Sequence, residues 1–188
     1  MHKHVYLDIH GVLADFNGHA ASWFGLQLSP EDRLVWSGII DSYKRKYRGK
    51  QDKEFWDELT PPFWETIPFT LEAAFVWNTA LITLQKRTST RYPTLITSPS
   101  HNSATAIQVW IRENLPFVFH AGEYIITPNK GRVGAPGRLL IDDSGKNIHE
   151  WEEAGGTGLL FPRSWNRNRN LDMAETLNDG LHKFFEEE

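Results

Sequence analysis

The sequence of 188 residues predicts an α/β fold of three layers: a mostly parallel sheet of about five strands between helices, with a small helical subdomain inserted after the first strand. Three observations carry that expectation. Short apolar runs alternate with amphipathic stretches along the chain, the pattern of strand–helix–strand crossovers. Three of the runs, at 4–8, 94–97 and 138–142, end in polar residues that can do chemistry: Asp8, then Thr97 with Ser98, then Asp142 with Asp143. Between the first two of them, the stretch 18–68 reads as helix without strands, so the core is expected at 1–17 and 69–188.

Each element has a local reason. His-Val-Tyr-Leu-Asp at 4–8 is a buried strand running into a loop at Gly11. Asp15 is placed to cap a short helix over 19–26. Ser29-Pro30-Glu31-Asp32 joins a hydroxyl cap, a first-turn proline and acids, and predicts a helix from 30 to about 48 with a basic end and Gly49 as its stop. A third short helix over 52–59 ends at Pro61-Pro62, and Pro68 marks the exit of the insertion. Further on, the patterning predicts a helix over 71–86 and a strand over 94–97. A helix capped by Asn102 or Ser103 then runs to 114, with strands at 117–119 and 123–127. A strand over 138–142, a helix over 146–153, a strand over 158–161 and a helix over 172–187 complete the chain.

Composition bounds the function. Twenty Lys and Arg against twenty-four Asp and Glu give a formal charge of −4, too balanced for a protein that coats nucleic acid or anionic lipid, while a small anionic substrate fits. The absence of cysteine excludes a thiolate nucleophile and a Cys-ligated metal. No apolar run approaches the ~18 residues of a membrane span, and the early charged residues do not suit a signal peptide, so a cytoplasmic location is expected. Eight Trp, eleven Phe and five Tyr exceed what a core of this size needs and suggest aromatic binding surfaces.

The chemistry follows from the strand ends. In open α/β sheets ligands lie beyond the carboxyl ends of the strands, where Asp8, Thr97, Ser98, Asp142 and Asp143 all fall. Carboxylates there suit a hard cation such as Mg²⁺. Hydroxyl and backbone N–H donors at 97–98 and the cation of Lys130 suit phosphoryl transfer by electrostatic clamping.

Four segments, in order along the chain, resemble the motifs of the haloacid dehalogenase (HAD) superfamily, a resemblance that covers about residues 4 to 161. Leu7-Asp8-Ile9-His10-Gly11-Val12-Leu13-Ala14-Asp15-Phe16 is most similar to the Asp-x-Asp-Gly-Val-Leu-Ala-Asp-Phe motif of its 5′(3′)-deoxyribonucleotidases. Leu95-Ile96-Thr97-Ser98-Pro99, Lys130 within Asn-Lys-Gly-Arg, and Leu139-Leu140-Ile141-Asp142-Asp143 resemble the second, third and fourth motifs. The resemblance implies a Rossmann-like core with the helical insertion as its cap, and a covalent mechanism with Asp8 as nucleophile. It implies Mg²⁺ held by Asp8, the backbone carbonyl of His10 and Asp142, with Asp143 close by. Thr97, Ser98 and Lys130 would hold the phosphoryl oxygens, and Phe16 and His101 would lie on the substrate side. The implied substrate is a (deoxy)nucleoside monophosphate; a DNA 3′-phosphatase and a catalytically silent nucleotide- or protein-binding relative are the alternatives, and a homodimer stays open.

Where this chain departs from the motif, the chemistry changes. His10 stands where the family's phosphatases carry a second Asp that acts as acid and base, a role imidazole can fill near neutral pH. Ser144 replaces a frequent Arg, and His101 lies in a loop where a Lys can assist phosphate binding. Other features have ordinary readings: His2 and His4 as edge histidines, the basic run 44–50 as dipole complementation, and Arg163, Arg167 and Arg169 as solvated cations. Trp36, Trp56, Phe63 and Trp64 divide between cap core and base stacking in a way the sequence leaves open.

Overall fold

A computed structural model of the protein describes residues 2–100 and 103–186. In chain order its elements are β1 (His4–Asp8), α1 (Phe16–Trp23), α2 (Gly38–Lys46), α3 (Asp52–Asp57), α4 (Pro61–Glu65) and α5 (Ala73–Arg87). There follow β2 (Thr94–Thr97), α6 (Ala104–Asn114), α7 (Pro116–Ala121), β3 (Tyr124–Ile126), β4 (Arg138–Asp142), α8 (Gly145–Glu153), β5 (Thr157–Leu160) and α9 (Met173–Glu186). The strands form one sheet in the order β3-β2-β1-β4-β5, and every pairing is parallel. The chain winds outward from β1 in both directions, so the switch point lies beyond the carboxyl ends of β1, β2 and β4.

The apolar runs become strands because both faces of a parallel sheet are covered. Alternation along the pleat sorts their side chains. Val5, Leu7, Leu95, Leu139, Ile141 and Leu159 pack in one core with the buried residues of α5 and α9, whereas Tyr6, Ile96, Leu140 and Leu160 pack with Ile148 and Trp151 of α8 on the other face. Full burial of each such aliphatic side chain contributes roughly 1.5–3 kcal/mol.

Two expected elements are corrected. The helix foreseen over 30–48 is broken: a 3-10 turn at Asp32–Leu34 gives way to extended Val35, and α2 starts only at Gly38. The Asp32 carboxylate accepts from Ser29 N and from Arg45, which folds the segment back, and a side chain at position 38 would collide with the Asp32 carbonyl. The strand foreseen at 117–119 is the helix α7, begun by Pro116 in its first turn and ended by Gly122 in the left-handed region, φ 72°. Asp15 does cap α1, its Oδ1 accepting from Gly18 N at 3.0 Å. Ser103 precedes α6, while Asn102 lies outside the described residues. Among the described residues, no helix is long and apolar enough to cross a membrane.

Candidate active site

Asp8, Thr97 and Asp142 close three adjacent strands, so the register of the sheet delivers their side chains to one end. Lys130 enters from a 3-10 turn (Lys130–Val133) and is 2% exposed. Its Nζ stands 2.6 Å from Asp8 Oδ1 and 2.7 Å from Asp142 Oδ2, bridging the two carboxylates. Asp8, Asp142 and Asp143 each bring a carboxylate oxygen within 4.8 Å of the others, all buried.

Three buried carboxylates against one ammonium leave excess negative charge. Burial, reinforced by Asp142 and Asp143 and opposed by Lys130, holds the Asp8 carboxyl well above the ordinary range. Burial and the neighbouring Asp142 push Asp143 up to about 7. Burial also works against the charge on Lys130, but Asp142 and Asp8 outweigh it and raise its pKa. An all-oxygen donor set with uncompensated negative charge fits a hard divalent cation. Further bonds orient the donors: Asp142 Oδ1 accepts from Ser144 N at 2.8 Å and from Asn147 Nδ2 at 3.2 Å. Asp143 Oδ2 accepts from Trp165 Nε1 at 2.6 Å.

His10 is half-buried beside this cluster, its Nδ1 sharing a hydrogen bond with Thr97 Oγ1 at 3.1 Å. Its ring meets Trp64 and Phe16 edge-on at centroid distances of 5.5 and 6.1 Å. Burial first, and then the Lys130 charge, push its pKa down to about 3, so the imidazole is neutral at pH 7.

The cluster floors a cavity of about 780 Å³. Asp8, His10, Phe16, Thr97, Ser98, Lys130 and Asp143 line it from the core, and Trp36, Trp56 and Trp64 from the insertion. Phe16 is 2% exposed and stacks on all three of those tryptophans, with centroids 5.5–5.9 Å apart. Phe63 is fully buried in the core and does not line the cavity, whereas Trp36, Trp56 and Trp64 do. His101 lies outside the described residues.

The basic run is engaged within the insertion. Lys44 pairs with Asp41 and Asp52, Arg45 with Asp32 and Lys50 with Glu58, while Lys46 donates to the carbonyls of Phe24 and Gly25. His4 bonds Thr94 Oγ1 through Nε2 at 2.8 Å, an edge role.

The expectation that Arg163 is solvated is overturned. Its side chain is 11% exposed; it donates to the carbonyls of Gly11 and Val12, pairs with Glu72 Oε2 at 3.0 Å and lies over the Phe161 ring. Backbone carbonyls that need a donor have no sequence signature, so this anchor was invisible. Trp165, Asn147 and Asn166 also line the cavity and were missed. Asn147 had a weak signal, one turn into the helix that follows Asp142-Asp143.

A profile of the family described as "5′ nucleotidase, deoxy (Pyrimidine), cytosolic type C protein" matches residues 2–179. No curated protein sequence matches the chain significantly. Among solved structures, YfnB of Bacillus subtilis, assigned as a HAD-hydrolase and solved bound to magnesium, superposes with a TM-score of 0.54 at 11% identity, covering 91% of this chain and 89% of that one. A conserved haloacid dehalogenase-like protein of unknown function from Agrobacterium tumefaciens gives 0.51 at 14% identity, covering 96% and 90%. At such identities the likeness is one of fold, and it is the HAD hydrolase fold.

Proposed function

The chain belongs to the cytosolic type C family of deoxy (pyrimidine) 5′-nucleotidases, phosphoric monoester hydrolases, and on that footing we propose that it is a Mg²⁺-dependent phosphatase of (deoxy)nucleoside monophosphates, acting through an aspartyl-phosphate on Asp8. One observation carries the reading: the Lys130 ammonium bridges Asp8 and Asp142 on the floor of a cavity whose far wall is aromatic. The floor suits a phosphate and the wall suits a base. Residues 1–17 and 69–188 act as the catalytic core and 18–68 as the cap, and we place the protein in the cytoplasm.

Asp8, the His10 carbonyl, Asp142 and Asp143 would hold Mg²⁺, which when bound neutralises charge on the phosphoryl oxygens. The protein's own groups do the rest. A carboxylate oxygen of Asp8 attacks phosphorus, the bond to the nucleoside oxygen breaks, and that oxygen leaves with a proton from His10, which the imidazole took up from solvent as the negatively charged substrate bound. Lys130, Thr97 and Ser98 steady the transferring oxygens. Water then attacks the phosphorus of the acyl phosphate, its proton passes to His10, and the Asp8 carboxylate is released with inorganic phosphate. A ring with pKa near 3 is a weak base alone, but the negative phosphoryl group arriving beside it raises that pKa, so His10 becomes competent when substrate is present.

The test is phosphate release from a panel of nucleoside monophosphates and a 3′-phosphorylated oligonucleotide, with Mg²⁺ and with chelator. Release from mononucleotides that needs Mg²⁺ and vanishes in Asp8→Asn is expected. Release from the oligonucleotide alone selects a DNA 3′-phosphatase, and nucleotide binding without release selects a silent relative.

A further inference from the structure

One indole near the site differs from its fellows in what it bonds. Trp64, Trp110 and Trp151 donate their N–H groups to the backbone carbonyls of Leu59, Ile67 and Arg138, the usual way a buried indole is satisfied. Trp165 donates to a carboxylate, Asp143 Oδ2, at 2.6 Å. The loop that carries it is itself fastened. Asn166 Nδ2 donates to the Asp143 carbonyl at 3.0 Å and to the Phe161 carbonyl at 2.8 Å, and Asn168 Nδ2 donates to the Leu160 carbonyl at 2.8 Å. From the other side, Gly11 leaves the room the same carboxylate occupies, since a Cβ there would lie 2.5 Å from Asp143 Oδ2.

We propose that Trp165 is a positioning residue that fixes the Asp143 carboxylate for the divalent cation, so that metal affinity depends on an indole contributed by the loop after β5. The inference rests on the reading of Asp8, Asp142 and Asp143 as the Mg²⁺ site. With Oδ2 held by the indole and no side chain on Gly11 to displace it, the carboxylate is kept at one angle, and Oδ1 is the oxygen left to a cation. A ligand held at one angle loses less freedom when it binds, which is how partners behind metal ligands come to be worth about 10- to 100-fold in affinity. The same ring lines the cavity and faces Trp36 of the cap at a centroid distance of 6.0 Å, so two roles have to be separated: holding Asp143 and forming a wall.

Mg²⁺ titration by calorimetry on the full chain separates them, comparing the parent with Trp165→Phe, Asp143→Asn, the double variant and Trp36→Phe. Trp165→Phe keeps an aromatic ring in the loop but removes the N–H donor together with the indole's five-membered ring, which is why the double variant with Asp143→Asn carries the decision. We expect Trp165→Phe to weaken Mg²⁺ binding about 10-fold. Its turnover should recover at saturating Mg²⁺, with the nucleotide KM within about twofold of the parent. Because Trp165 acts through Asp143, the double variant should bind no more weakly than Asp143→Asn alone, a coupling that a merely structural residue would not show. Trp36→Phe, which alters the facing wall without touching Asp143, should keep the parental Mg²⁺ affinity. Parental affinity in Trp165→Phe, additive losses in the double variant, or a parent that binds no Mg²⁺ would each overturn the proposal. If Trp165→Phe melts early, the pair Asp143→Asn and Asp143→Asn/Trp165→Phe decides at a temperature where both are folded. A parent that binds Mg²⁺ but frees no phosphate from any nucleotide sinks the nucleotidase reading while leaving the calorimetric result to decide Trp165.

Discussion

His10 shows how one residue's surroundings choose among the roles its chemistry allows. Imidazole can be acid or base near pH 7. Here burial and the Lys130 charge keep it neutral, and Thr97 Oγ1 fixes the ring through Nδ1. His10→Ala is expected to cut turnover by about two to four orders of magnitude with little change in KM, and His10→Asp to retain much of the activity, as steady-state kinetics can check. Stability carries a second signature. The folded pKa of His10 lies below its unfolded value, so unfolding takes up a proton on acidification, and the stabilising contribution present above pH ~6.5 is lost as pH falls toward 3. The metal-free parent should therefore lose more melting temperature between pH 7 and pH 4 than His10→Gln does. Equal slopes would show that the ring is not held neutral.

At the scale of elements, the loop after β1 is held from two sides that are far apart in sequence. Thr70 N donates to the Leu13 carbonyl and Thr70 Oγ1 to the Val12 carbonyl, while Arg163 holds the carbonyls of Gly11 and Val12 and pairs with Glu72 just before α5. The two chain segments that lead into and out of the inserted helices are thereby tied to the loop after β5. Arg163→Ala leaves the Gly11 carbonyl and the partly buried Glu72 carboxylate without their donor, the Val12 carbonyl keeping Thr70 Oγ1, and should cost about 2–4 kcal/mol in urea unfolding. Gly11→Ala should do worse at the site: its φ of 85° resists a side chain, and the new Cβ would meet Asp143, so Mg²⁺ binding should be lost along with stability. Within the insertion, Phe63→Ala should cost about 3–5 kcal/mol because Phe63 is fully buried. Trp56→Ala, which removes a partly buried ring of the cavity wall stacked on Phe16, should raise the nucleotide KM while costing less stability than Phe63→Ala.

For the whole molecule, the excess charge at the sheet's end predicts linkage between metal, protons and folding. A cation that binds only the folded chain stabilises it by about 2.7 kcal/mol at a hundredfold excess over Kd. Asp143, with its pKa raised to about 7, must lose a proton before it can serve as an anionic ligand. The rise in melting temperature on adding Mg²⁺ should therefore be large at pH 8 and small at pH 5.5, and chelator should erase it. A rise independent of pH would place the cation elsewhere.

How much of this was legible in the sequence depends on where each interaction acts. Buried parallel strands must be apolar throughout and end where the chain turns to solvent, so β1, β2 and β4, and the polar groups at their ends, could be read from consecutive residues. The helical character of 18–68 was legible for the same local reason, from caps, prolines and periodicity. Local signals fail where a long-range contact outweighs them: Asp32 and Arg45 break the helix expected after Pro30, and Pro116 and Gly122 close a helix around three residues that pass for a strand. Which cap aromatics face the cavity, that Lys130 spans Asp8 and Asp142, and that Arg163 and Trp165 reach Gly11 and Asp143 were decided only in three dimensions. Sequence patterns report each residue's own preference for strand, helix or burial, whereas a carbonyl, a carboxylate angle or a wall of stacked rings takes its partners from wherever the packed chain brings them.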